Sequence, residues 1–464
     1  MFIGREIEIE ALRNKFKSHK KTVILLYGRR RIGKTALIRE TLKDINDATV
    51  VYHEFHRVIP EKNIEEFSKS IGEALSLSSL PPFLSLTDAF VFLNQLGKRM
   101  IVVMDEYSEL KIHAKKGEID SYMKSIVDNL SENIILILTG SSLKVMEELL
   151  EEENPMFGRF TYVMKLEPLD YYDASNFFPD KSHYEQMEIY SVFGGSPYVL
   201  SLLDEHLSLR ENIEETIIPL SGSVRAYVES VINMEASRVP HGITILALIS
   251  NSKKKYSELE NTIGKNASGV LNRELKMLIE LGIVGKVQPI NKKDKAKIFY
   301  EITDPVIRFY FTYIYPNPEL MMTNPNMFFE NFIKKSIKDF IARRFEEACR
   351  SYFALLVKNG IRYDIMNIGT YWYDDEINKR KGEFDVALQT AEGYEIYDAK
   401  FVSAPLSYKE TEKERRQLST IPISLTRWGI ISASGFEEKN NSYTQLTLDD
   451  LYKASFSRHS EMPW

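Results

Sequence analysis

Apolar positions follow two rhythms along this chain. Short unbroken apolar runs, Thr22 to Tyr27, Thr49 to Phe55, Met100 to Met104 and Ile134 to Leu138, are too short for buried helices of ordinary length. They predict core strands of a parallel sheet, covered on both faces. Phe160 to Leu166 fits a further strand. Between these runs, helix-compatible patterns fall at 36–42, 62–77, 85–96 and 119–130, with Pro81-Pro82 breaking the second from the third. Strand and helix in alternation predict an α/β fold.

The rhythm then changes. Residues 168–237 read as helical, interrupted by Gly194-Gly195-Ser196-Pro197-Tyr198, a rigid turn with Ser196 as cap and Pro197 in the first turn of a new helix. From 240 to 302 come three helices (from Ile243, Tyr256 and Ser268) and then two strands joined by the basic tip Asn291-Lys292-Lys293-Asp294-Lys295. That order predicts a winged helix-turn-helix, which either sets a helix in a DNA groove or merely joins domains. Arg273 and Lys276 stand against Glu274 and Glu280 on its third helix, so charge does not decide. The aromatics crowded into 299–345 suit core packing better than an exposed stacking platform. Beyond 330 the pattern predicts a helix at 331–359, a hairpin of Lys381–Leu388 with Gly393–Lys400, a charged helix at 408–420 and a strand at Trp428–Ser432.

Composition narrows the class. The chain has 464 residues, room for about three domains, and 44% hydrophobic residues, which excludes a disordered chain. Its single cysteine, Cys349, excludes an intrachain disulfide framework and fits a reducing compartment, hence a cytoplasmic protein. The start is no signal peptide, and no apolar run reaches spanning length, so no membrane partner is expected. A net charge of −6 gives no global pull toward nucleic acid, so any such contact needs a local basic surface.

Candidate chemistry begins where the first strand ends. Gly28-Arg29-Arg30-Arg31-Ile32-Gly33-Lys34-Thr35 fits the G-x4-G-K-[ST] pattern between a strand and a helix. Such a loop aims backbone N–H groups and a helix N-terminus at a polyphosphate. Gly28, Arg31, Ile32, Gly33, Lys34, Thr35 and Ala36 are the candidate nucleotide contacts, with Lys34 spanning the terminal phosphates and Thr35 ligating magnesium. Asp105, at the end of a second strand, can hold magnesium through water, and Glu106 can polarise the attacking water. Thr139 or Ser141 offers a hydroxyl to the γ-phosphate or the water, although Ser141 and Ser142 suit a helix cap equally well. Arg159 is a candidate positive charge for the transition state, in cis or across a subunit boundary, or a solvated turn residue.

A second constellation lies in the hairpin. Asp398 and Lys400 are two apart on one strand and so share a face. If the register brings Asp385 alongside, two carboxylates and an ammonium converge, a set suited to metal-dependent phosphodiester hydrolysis, with Glu346 from the preceding helix completing the shell. The same residues also suit a solvated, ion-paired face.

With these motifs in hand, the chain resembles an archaeal-type ATPase of the P-loop AAA+/STAND assemblage. The further markers are Phe2-Ile3-Gly4-Arg5-Glu6, Thr139-Gly140-Ser141-Ser142, Gly158-Arg159 and Gly194–Tyr198. The resemblance implies ATP with Mg2+, adenine contacts from Ile3, Gly4 and Arg5, a nucleotide contact near Pro197, and a ring or dimer supplying Arg159 in trans. It also implies a domain order: P-loop ATPase core 1–167, helical lid 168–237, winged helix 238–304, linker 305–329 and a restriction-endonuclease-like α/β domain 330–464. That last domain is similar to a domain likened to PD-(D/E)XK nucleases. Asp385 matches its first acid, Asp398-Ala399-Lys400 its tripeptide and Glu346 its helix acid, while Phe384 replaces the proline. The expectation is an ATPase acting on DNA or another nucleic acid. The rival is an ATP-driven switch with protein partners and a non-catalytic C-terminal domain.

Overall fold

The computed structural model describes residues 2–18, 20–78, 80–112, 114–115, 117–264, 268–291, 298–375, 380–419 and 423–453. It forms two compact units, Met1–Pro168 with Glu280–Gly282, and Leu169–Ile279 with Ile283–Trp464. Among the described residues no helix is long and apolar enough to cross a membrane.

The first unit is built on five strands: β1 (Thr22–Tyr27), β2 (Thr49–Glu54), β3 (Met100–Asp105), β4 (Ile134–Gly140) and β5 (Tyr162–Lys165). They are all parallel, in the order β2-β3-β4-β1-β5. Every residue of β1, β3 and β4 is buried, which is why their sequences read as unbroken apolar runs. The alternation hidden in those runs shows in the packing. Val23 and Leu25, Val102 and Met104, and Leu136 and Leu138 enter one core. Ile24 and Leu26, Ile101 and Val103, and Ile135 and Ile137 enter the core on the other face, against the helices Glu6–Phe16 and Lys34–Leu42. The expected strand at Ile134 runs two residues further, to Gly140, while β5 is shorter than Phe160–Leu166.

The second unit opens with helices at His183–Phe193, Leu209–Thr216 and Ser223–Met234. The first of these does not behave as part of a free-standing lid. Tyr171 and Met187 enter the core that the helix Ile337–Lys358 builds with Phe345, Cys349 and Phe353, and the Tyr171 hydroxyl donates to Leu451 O at 2.9 Å. Next come helices Gly242–Ile249, Tyr256–Ile263 and Ser268–Glu280 with three short strands, β6 (Lys254–Lys255), β7 (Val284–Val287) and β8 (Phe299–Ile302), antiparallel in the order β6-β8-β7. Most of the expected basic tip, 292–297, lies outside the described residues. Of the aromatics, Phe309, Phe311, Tyr313, Phe328 and Phe329 are buried, so they serve packing.

A mixed sheet closes the unit: β9 (Asn367–Asp375), β10 (Arg380–Gln389), β11 (Tyr394–Lys400), β12 (Leu425–Ser432) and β13 (Thr444–Thr447), in the order β13-β12-β11-β10-β9. Strands β9 to β11 pair antiparallel, and β11 to β13 pair parallel, with the helix Tyr408–Ser419 in the crossover. The helix Ile337–Lys358 covers one face through Phe345, Phe353 and Leu356 against Val386, Leu388 and Tyr397.

Candidate functional sites

At the end of β1 the chain turns on Gly28, where a Cβ would come within 2.4 Å of Leu166 O, so only glycine fits. Arg31 (φ 62°) and Gly33 (φ 96°) take left-handed backbone, which turns successive amides inward ahead of the helix Lys34–Leu42. Lys34 is 6% exposed, and its ammonium donates to Gly28 O at 2.9 Å and Arg29 O at 3.1 Å. Burial pushes its pKa below the ordinary lysine value, with Glu106 and Asp105 opposing.

Strand parity explains what gathers here. Asp105 follows Ile101 and Val103 by steps of two, so it faces the same side as the helix that starts at Lys34. By the same parity Thr139 continues Ile135 and Ile137, and Tyr52 stands on that face of β2. The buried Asp105 carboxylate accepts from the Thr35 hydroxyl at 2.9 Å, from the Tyr52 hydroxyl, and from the Glu106 N–H at 3.0 Å. Burial, and then this bond to Asp105, push the Tyr52 phenol well above its ordinary pKa. Thr139 is fully buried, and its hydroxyl oxygen has no hydrogen-bond partner, a polar atom facing the same side of the sheet end as the phosphate loop's helix.

Glu106 holds a left-handed backbone (φ 51°), uncommon for a side chain of its size and typical of functional sites. Its Oε2 accepts from the Ser141 N–H at 3.1 Å and hydroxyl at 2.9 Å. Ser141 is therefore a partner of Glu106 rather than a helix cap; Ser142 takes the cap position of the next helix without a side-chain capping bond. Gly4 and Arg5 also have positive φ, and the Arg5 guanidinium donates to Ile32 O at 3.2 Å and Glu167 O at 2.6 Å. The opening segment, Ile3 included, thus lies beside the loop.

Arg159 is not brought to this loop. It precedes β5, whose neighbour Thr161 bonds Val23 O at the start of β1, and parallel strands put that start on the edge opposite the loop. Its guanidinium bonds both Asp128 oxygens, at 2.9 and 3.1 Å. The cis alternative fails on topology. Pro197 begins the helix Pro197–Leu200 in the second unit, as its turn sequence predicts.

In the second unit, Val386 pairs with Tyr397, so the antiparallel register sets Asp385 across from Asp398. Lys400 Nζ stands 2.8 Å from Asp398 Oδ2 and 3.3 Å from Glu414 Oε1. Burial opposes that charge, yet Asp398 and Glu414 hold Lys400 above its ordinary pKa. Burial and then Asp398 push the Asp385 carboxyl up to about 7. Burial and then Asp385 push Glu346 up to about 8, and Asp398 is raised by burial with Lys400 opposing. The four expected residues are thus electrostatic neighbours. They do not make the expected metal shell, however: among the described residues no group of three His, Cys, Asp or Glu side chains is placed to hold an ion. Lys400 is spent on Asp398, and Glu346 and Asp385 instead line a neighbouring cleft of about 270 Å³ with Arg350, whose guanidinium donates to Asp385 O at 2.5 Å.

The sequence reading missed Tyr52, Glu414, Arg350 and Lys253. Tyr52 is an ordinary strand aromatic until strand order places β2 beside β3. The i, i+4 spacing of Glu346 and Arg350 on one helix was a usable signal.

Comparisons with known proteins agree with the first site. A family model described as an ATPase domain predominantly from Archaea matches residues 2–203, and one described as archaeal and bacterial proteins of unknown function matches 310–414. An uncharacterized protein of Methanocaldococcus jannaschii is 30% identical over 383 residues, covering 81% of this chain and 83% of its own length. An uncharacterized ATP-binding protein of Pyrococcus abyssi is 25% identical over 258 residues, covering 46% of this chain and 75% of its own. Among solved structures, a Walker-type ATPase of Pyrococcus abyssi shares the fold, with TM-score 0.51 and 21% identity over 67% of this chain and 96% of its own.

Proposed function

This chain carries the archaeal ATPase domain and belongs to the family of its Methanocaldococcus jannaschii relative, and on that premise we propose that it is a magnesium-dependent ATPase whose nucleotide cycle is coupled to nucleic acid through the second unit. The observation that carries the reading is the convergence of Thr35 and Tyr52 on Asp105, with Glu106 next in the chain and Thr139 on the same sheet face.

The residues divide the work simply. The loop from Gly28 to Ala36 receives the polyphosphate on its amides, and Lys34 exchanges the carbonyls of Gly28 and Arg29 for phosphate oxygens. Thr35 and Asp105 hold magnesium, which when bound neutralises charge on the phosphoryl oxygens. Glu106 orients the attacking water and draws on its proton after leaving Ser141. Thr139 donates its free hydroxyl to the terminal phosphate. Arg159 serves a neighbouring copy's nucleotide in trans once it leaves Asp128. Ile3, Gly4 and Arg5 bound the base. ATP turnover in Lys34→Ala tests this: a loss of about 100-fold or more is expected, the scale for removing a charge-stabilising donor, and undiminished turnover would refute it.

In the second unit, 238–304 is read as a winged helix and 330–464 as a nuclease-like domain with Asp385, Asp398, Lys400 and Glu346 as its acids and ammonium. Plasmid incubated with Mg2+ or Mn2+, with and without ATP, tests cleavage; equal products from wild type and Asp398→Ala would sink it. The rival reading, an ATP-driven switch with a non-catalytic C-terminal domain, is favoured by one observation: Lys400 neutralises Asp398, and no three-carboxylate set is assembled among the described residues.

A further inference from the structure

The cleft that contains Asp385 has walls from two parts of the second unit. Lys253, Val287 and Glu301 come from the helix-and-strand module 242–302, and Glu346, Arg350 and Asp385 from the helix and sheet beyond it. Its volume, about 270 Å³, falls below the roughly 300–1,000 Å³ of ordinary small-ligand pockets. A nucleic-acid strand presented to Asp385 would bring a backbone phosphate into this cleft, so the spacing of its two walls governs access.

The contacts that fix this width fall into two groups of different character. One is buried. Arg308 donates to Ser250 O at 3.0 Å, and Glu301 faces Arg308 at 3.4 Å and Arg344 at 3.7 Å, with both arginines 4% exposed. Breaking a buried ion network of this kind leaves uncompensated charge, so this group holds. The other group is part-buried, and Ile290 in it also packs against the cluster of Tyr373 and Phe384. Ile290 N–H donates to Thr370 O at 2.8 Å, and the Asn291 side chain both donates to Trp372 O at 2.8 Å and accepts from Trp372 N–H at 3.0 Å. The chain leaving β7 thereby lies along the open edge of β9, held by one main-chain bond from Ile290 and by the side-chain amide of Asn291, which meets the edge's main-chain groups as a further strand would. Gly369 permits the approach, since a Cβ there would stand 2.7 Å from Ile290 Cγ2. Lys253 completes the group, with its ammonium 2.6 and 2.8 Å from the two oxygens of Glu383.

We propose that the described residues of the module, 242–264, 268–291 and 298–302, form a hinged wall over the Asp385 cleft, pivoting on the Arg308–Glu301–Arg344 network and latched by Ile290, Asn291 and Lys253, and that unlatching widens the cleft to admit a nucleic-acid strand. The latched arrangement is the closed one. In it the base of the wing is occupied by β9 rather than offered to DNA. The nature of what enters rests on the nuclease-like reading above; the latch itself does not.

The test uses the full chain with Ser252→Cys, a half-buried position on the cleft wall. The native thiol, Cys349, is buried. Labelling by iodoacetamide and by a polyethylene-glycol maleimide is compared in three backgrounds: no further change, Lys253→Glu with Asn291→Ala, and the charge swap Lys253→Glu with Glu383→Lys. The expectation is that the bulky reagent reacts at least tenfold faster in the first variant, while iodoacetamide changes little and the swap restores protection. Equal bulky-reagent rates in all three backgrounds overturn the proposal, as does a rise that the swap fails to reverse. An unchanged far-UV circular dichroism spectrum and a cooperative melting transition of the second unit show that the variants fold. Cleavage of a single-stranded oligonucleotide with Mn2+ is then followed in chains with native Ser252. Faster cleavage in the unlatched variant supports both readings, whereas altered labelling without cleavage leaves the hinged wall standing and removes the nuclease.

Discussion

Tyr52→Phe isolates a contact of the phosphate-loop site that motif reading could not foresee. The substitution removes a hydroxyl and leaves the ring, which packs in the core beside the helix Lys34–Leu42 and under the Arg39 guanidinium at 5.5 Å. The lost bond runs to a carboxylate that is 1% exposed, and hydrogen bonds to charged groups contribute about 1.5–3 kcal/mol. Asp105 keeps its bonds from Thr35 and the Glu106 amide, so the lower half of that range, about 1.5–2 kcal/mol, is expected. For a folding unit of this size, about 2–4 °C of Tm is lost per kcal/mol, giving a fall of about 3–8 °C in the first unit's transition. The assay is a double-mutant cycle on thermal unfolding with Asp105→Asn, run without nucleotide. If the hydroxyl acts through Asp105, the two substitutions are non-additive by at least about 1 kcal/mol. A second readout separates positioning from mere support: Tyr52→Phe should need more Mg2+ for half-maximal ATP turnover, because Asp105 is less firmly aimed. Additivity within about 0.5 kcal/mol, together with an unchanged Mg2+ requirement, would refute the reasoning.

Three more outcomes follow from the same geometry. Glu106→Gln should keep ATP binding, measured by calorimetry, while lowering turnover about 100-fold or more, because the amide cannot accept the water's proton. Gly28→Ala places a methyl 2.4 Å from Leu166 O and should destabilise the first unit by about 1–3 kcal/mol, read as a lower Tm, and weaken nucleotide binding with it. Asp385 and Glu346 titrate near 7 and 8 in the folded protein against ordinary values of 3.8 and 4.5. The folded state therefore binds these protons more tightly, and stability present at acid pH is lost as pH climbs from about 4 toward 8. Each tenfold difference in proton affinity is worth about 1.4 kcal/mol. The second unit's Tm should fall over that window, and Asp385→Asn or Glu346→Gln should flatten the fall; parallel profiles would exclude the pair as its source.

The amino-acid sequence was enough for everything that depends on neighbours along the chain. The unbroken apolar run before the G-x4-G-K-T turn predicted a buried strand feeding a helix, and β1 and the helix Lys34–Leu42 take those places. The hairpin of β10 and β11, with Asp398 and Lys400 on one face, followed likewise from period-two geometry. Strand order is different in kind. Whether β2 or β5 lies beside β3 depends on how helices cover the two faces, and that decision put Tyr52 onto Asp105 and left Arg159 at the far edge of the sheet. Packing between distant segments was equally hidden. The helices Tyr171–Ser175 and His183–Phe193 carry apolar residues that must be buried, but their sequence does not say against what, and Phe345 and Cys349 supplied the partner. The attachment of Ile290 and Asn291 to β9 was also beyond sequence reading, since an edge strand presents main-chain groups that look the same under any side chain. Local chemistry is written in residue spacing; the choice among partners of similar chemistry is made only when the chain closes on itself, where burial and hydrogen-bond satisfaction are settled by the whole fold together.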